Sequence, residues 1–197
     1  MTELSSFLLE HRQILLSSHF LGLALGLGGA TVTDVLFFNF LKDFSITRKE
    51  ADVMRVLSNI IVGGLVLLFV SGVLLYLSDI PKYNASPAFT AKMLLVMVIT
   101  LNGILMHKHI APHMMHLSFT SKSASMKILH HRRRVAFGMG AISFTSWYFV
   151  FFLSMFKRLL PVTVGATDIL LVYIGLALIA VAVSQRMERR MRAKSQR

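Results

Sequence analysis

A chain of 197 residues that is 55% hydrophobic and only 15% charged, with mean hydropathy +0.66, is not built as a soluble globule. Its net charge of +12 gathers beside apolar segments, which points to anionic lipid headgroups rather than to nucleic acid. With no cysteine, disulfides, thiolate metal ligands and haem attachment through a Cys pair are excluded.

Residues 1–12, around LSSFLLEHR, read as a short interfacial helix on the outer side. The apolar run behind them is too long, and its lead too weakly basic, for a cleaved signal peptide. No Asp, Glu, Lys or Arg falls between 13 and 33, so this run can cross a hydrocarbon core ~30 Å thick; a helix is expected from about 13 to 38. His19 then lies ~9 Å inside the outer boundary. An ionisable group at that depth faces the bundle interior and is a functional candidate. His19, Gly22, Gly26 and Ala30 share one helical face. That face could admit a planar macrocycle with the imidazole on its iron, or it could be a close helix-packing motif with His19 bonded to a neighbouring helix. Asp34 falls at the inner boundary, where it would pair with Arg55 or the Arg132–Arg134 cluster, with a proton-relay role as the alternative.

The second expected helix covers about 56–78. The outer loop SDIPKYNASPAF is polar, and Ser86 followed by Pro87 reads as an N-cap and first helical residue, so the third helix runs from 87 to about 110. The charge-free stretch between Lys92 and Lys108 is 15 residues, or ~22 Å. It is too short to span alone, and this helix must carry a charge inward. Lys92 sits at a depth comparable with His19. It could hold a porphyrin propionate, act as a base or ligand, or simply snorkel outward. At the inner end, MHKHIAPHMMH sets His109, His113 and His116 at i, i+4 and i+7 beside Met114 and Met115, a donor set suited to copper; interfacial histidines are the alternative, and Pro112 interrupts the spacing. His107 and His19, ~20 Å apart along the membrane normal, cannot ligate one iron.

Residues 117–131 read as a polar loop, a fourth helix spans about 134–157, and a fifth about 167–186. Ser143, Thr145 and Ser146 on the fourth could bond across helices, and Trp147 and Tyr148 pack or line a pocket. A basic tail, 187–197, closes the chain. Of the 21 Lys and Arg residues, 16 fall in the segments after helices one, three and five. The expected architecture is therefore an all-α, multi-pass bundle of five transmembrane helices, four in a core and one appended. Its N-terminus faces out and its C-terminus faces in, across a bacterial inner membrane. There is no phosphate-binding loop and no nucleophile triad.

The run HFLGLALGLGG, His19 to Gly29, resembles the first-helix signature of the copper resistance protein D family. AKMLLVMVITLNGILMHKHIAP, Ala91 to Pro112, is similar to that family's later helix. A histidine followed by a lysine in this arrangement also occurs in HemJ-type protoporphyrinogen oxidases. Gly26 stands where the first-helix motif usually carries tryptophan. The resemblance covers about residues 13–157 and implies that His19 and Lys92 serve haem binding or activity.

Three functions are expected to compete. The first is a haem b protein ligated by His19, with Gly22 and Gly26 beside the macrocycle, Lys92 in a catalytic or propionate role, and a redox partner. The second is copper handling through His109, His113 and His116. The third is a cofactor-free membrane scaffold or subunit. A homo-oligomer is compatible with each.

Overall fold

The structure is a computed structural model that describes residues 3–40, 47–110, 126–156, 159, 161 and 163–195. Among these residues it is all-helical: α1 (Glu3–Glu10), α2 (Arg12–Phe40), α3 (Arg48–Ser78), α4 (Ile80–Asn84), α5 (Pro87–Leu105), a π-helical turn (Met106–Ile110), α6 (Met126–Phe156) and α7 (Ala166–Ser195). Five helices, α2, α3, α5, α6 and α7, are long and apolar enough to cross a membrane.

Local chemistry sets the ends. α3 starts at Arg48 rather than near 56 because Thr47 and Glu50 close a capping box: the Thr47 hydroxyl accepts the Glu50 N–H, and the Glu50 carboxylate accepts the Thr47 N–H at 2.7 Å. Two orphan donors are satisfied at once, so the charged turn before the apolar run is helical. α5 starts as expected, with Ser86 accepting the Phe89 N–H and Pro87 in the first turn. The expected outer loop contains α4, capped by Asp79. α6 begins at Met126 rather than near 134, and α7 continues to Ser195 rather than stopping near 186. Once a helix is nucleated, Lys, Arg, Gln and Met extend it at little cost; absence of charge marks the hydrocarbon level, not the helix end.

α2 packs chiefly on α3, and α6 packs on α7 and α5, while α1 rests against α3. The α2–α3 pair is antiparallel and touches through backbone. A Cβ on Gly22 would lie 2.8 Å from the Leu68 nitrogen and 2.9 Å from the Gly64 oxygen; one on Gly64 would lie 2.7 Å from the Gly26 nitrogen. Such close approach is how helices gain van der Waals contact where lipid offers no hydrophobic drive. The α6–α7 pair is joined by hydroxyls: Ser146 Oγ donates to the Ile142 carbonyl at 2.6 Å and accepts from Tyr173 at 2.8 Å. Between α5 and α6, Asn102 donates to the Met139 carbonyl at 3.1 Å. Ala91, Leu95 and Trp147 are fully enclosed. Large apolar side chains cover the outside, including Phe20, Phe69, Leu171 and Leu178, each more than 60% exposed. A surface of this kind is soluble in hydrocarbon and not in water.

Candidate functional site

His19 lies seven residues into α2, ~10 Å along its axis, and turns toward α3. Its Nδ1 is 3.0 Å from Ser71 Oγ, and Ser71 is buried. The next residue, Gly72, leaves room for the ring: a Cβ there would come within 3.3 Å of the His19 Cε1 carbon. Ser71 has a single hydroxyl hydrogen, and its oxygen lies 2.6 Å from the Leu67 carbonyl. A carbonyl can only accept, so that hydrogen goes to Leu67, and Ser71 Oγ must accept from His19. The Leu68 carbonyl, 3.3 Å from the same hydroxyl and also near the ring, is a second acceptor on that side. In the neutral imidazole, therefore, Nδ1 carries the hydrogen and Nε2 keeps its lone pair.

Lys92 stands five residues into α5, ~7.5 Å along its axis from Pro87. It is half-buried, next to the enclosed Ala91, and within electrostatic reach of His19. The two ionisable residues singled out in the sequence thus lie within electrostatic reach of one another, one on α2 and one on α5. Ser71, which orients the imidazole, is the member that the sequence did not reveal.

The fit of a macrocycle can be tested on the same residues. Of the two readings of this face, Gly22 and Gly26 take the close-packing one, with His19 bonded to α3. The space before Gly22 is filled by the α3 backbone, a Cβ on Gly26 would collide with the indole of Trp147, and Ala30 further along is buried. A porphyrin does not fit on the Gly22–Gly26 side of His19.

For copper, His113 and His116, with Met114 and Met115, lie outside the described residues, as does the side chain of His109. Among the described residues no group of three or more His, Cys, Asp or Glu could hold a metal ion. His107 sits in the π-helical turn at the far end of the bundle, exposed, 3.4 Å from Ser58. Of the partners expected for Asp34, the side chain of Arg132 lies outside the described residues, and no ion pair of Asp34 with Arg55 or Arg134 is found. Arg55 pairs instead with Asp52 at 3.4 Å, exposed and one turn away, and Arg134 lies 3.9 Å from Glu188.

Tyr148 makes a cross-helix bond 3.0 Å from Thr31 Oγ1. Thr31 donates to the Leu27 carbonyl, so the tyrosine is the donor of the pair. The bond lies in an apolar groove of about 520 Å³ between α2 and α6, which includes Phe20, Gly28 and Phe151 but neither His19 nor Lys92. No family model, curated protein or solved structure matches this chain.

Proposed function

We propose that the chain is a multi-pass membrane protein that takes up and releases a proton at His19, with Lys92 as the second nitrogen base of the site and Ser71 as the group that fixes the imidazole. The reading rests on one observation, the hydrogen-bond relay from His19 Nδ1–H to Ser71 Oγ and on to the Leu67 carbonyl. It leaves a lone pair on Nε2 inside an apolar span, where an ionisable group is costly and is kept for function. Lys92 lies within electrostatic reach of His19, and a proton would pass between the two nitrogen bases. The distribution of basic residues supports an outer-leaflet position for this site. A redox role through haem b finds no support in the closed glycine seam.

Purified protein reconstituted into vesicles with a trapped pH dye tests the reading. After an outside pH step, the wild type should pass protons. His19→Gln and Lys92→Met should fall to the rate of empty vesicles, while His107→Gln, at the far end, should behave as wild type. Flux in His19→Gln equal to wild type would overturn the proposal. So would a Soret band in the purified protein that vanishes in His19→Ala, since Nε2 would then be an iron ligand.

A further inference from the structure

α7 carries its charges on two sides according to sign. Glu188 is completely enclosed and turned toward α6, where Arg134 Nε lies 3.9 Å from its carboxylate. The same turn is fastened by Gln185, which donates to the Arg134 carbonyl at 2.8 Å, and Gly138 makes room for that amide. Arg186, Arg189 and Arg190 are all exposed. At 3.6 residues per turn they fall within an arc of ~100°, with Glu188 ~160° from Arg186 on the opposite side. The one carboxylate of this turn is thus spent inside the helix pair, and among the described residues the outward face carries three cations.

That face continues an apolar stripe. Leu176, Ile179 and Val183, 46%, 62% and 51% exposed, precede the arginines on the same side of the helix, at i, i+3 and i+7. From Arg186 back to Leu176 is ~15 Å, which is half the thickness of the hydrocarbon core. The arginines rise only ~6 Å beyond Arg186, about the depth of one headgroup layer. Guanidinium groups at headgroup level above ten residues of lipid-facing apolar surface match one amphiphile: a phosphate with a single negative charge or more, carrying a long chain.

We propose that the outward side of α7 binds an anionic phospholipid, with its phosphate on Arg186, Arg189 and Arg190 and an acyl chain along Val183, Ile179 and Leu176. Glu188 acts as a positioning residue: paired with Arg134, it keeps the outer face free of negative charge.

Native mass spectrometry of the full chain in detergent, titrated with dioleoylphosphatidylglycerol or dioleoylphosphatidylcholine, tests this. Each arginine near the surface is worth about fivefold in affinity, so the wild type should prefer phosphatidylglycerol by up to ~100-fold. The triple variant R186Q/R189Q/R190Q should lose that preference, and R48Q/K49Q, cations at the same end of the bundle, should keep it. An unchanged preference in the triple variant, or an equal loss in R48Q/K49Q, would overturn the site. Displacement of the lipid by excess inorganic phosphate would overturn its assignment to a chain-bearing ligand. These outcomes do not depend on His19.

Discussion

A serine decides what His19 can do. Without Ser71 only the Leu68 carbonyl would favour the hydrogen on Nδ1; with both acceptors, Nε2 is the free base. Hydrogen bonds between transmembrane helices average ~0.6 kcal/mol, so Ser71→Ala should leave the bundle folded, with thermal unfolding in detergent moved by a few degrees at most. Its effect belongs to the tautomer. In ¹⁵N-histidine NMR, the signal that disappears in His19→Gln should show unprotonated Nε2 in the wild type and a mixture in Ser71→Ala, with slower proton flux in vesicles. Unchanged ¹⁵N shifts would mean that the hydroxyl does not set the tautomer. At this scale the sequence was half readable. His19 and Lys92 stood out because ionisable groups inside apolar runs are rare. Ser71 did not, because the second apolar run also holds Ser58, Asn59 and Ser78, and only packing against α2 separates one hydroxyl from the others. Gly26 announced a notch but not its occupant: the filling indole, Trp147, comes from α6. Glu188 hid in the basic tail for the same reason, since its role depends on which way it turns.

Among the elements, the α2–α3 seam and the α6–α7 seam are built differently. The first has glycines and backbone contact; the second has hydrogen bonds from Ser146, Tyr173 and Gln185 and the Glu188–Arg134 ion pair. Adjacent glycines on α3 give a controlled comparison. Gly64 faces α2, with the Gly26 nitrogen 2.7 Å from a would-be Cβ, whereas Gly63 has nothing within 4 Å. Gly64→Val must push apart two backbones that cannot rotate away, a cost of ~1–3 kcal/mol or more. Gly63→Ala should be neutral or stabilising by up to ~1 kcal/mol through helix propensity. Thermal unfolding in detergent, followed by circular dichroism, should show a clear drop for the first and none for the second; equal effects would remove the close seam. The spans of these helices were legible from charge-free windows, because burying charge in hydrocarbon costs more than any local preference. Their ends were not. The signal for α3 was nevertheless present in residues 47–50, TRKE, whose first and last members form the capping box. The helical run of α6 and α7 past the apolar windows has no comparable mark, since basic residues serve equally well in a loop or a helix.

At the scale of the whole molecule, all functional geometry depends on which side of the membrane each end occupies. The ends are chemically unlike. The starts of α3 and α6, the end of α7 and the π-helical turn carry exposed Arg48, Lys49, Lys108, Arg134, Arg186, Arg189 and Arg190, while α4, at the other end, exposes Lys82, paired with Asp79 at 3.9 Å. Positive charge is retained on the cytoplasmic side during insertion, so the α4 end should be outside, and His19 and Lys92 with it. The absence of cysteine makes this directly measurable. Ala85→Cys beside α4 and Ala193→Cys near the end of α7 are both exposed positions, and each would be the one thiol in its protein. A membrane-impermeant maleimide added to intact cells should label Ala85→Cys, and should reach Ala193→Cys only after the membrane is opened. The opposite pattern would invert the bundle. His19 would then draw its proton from the cytoplasm, and the α7 arginines would meet the outer leaflet, so proton access and lipid encounter would change sides together.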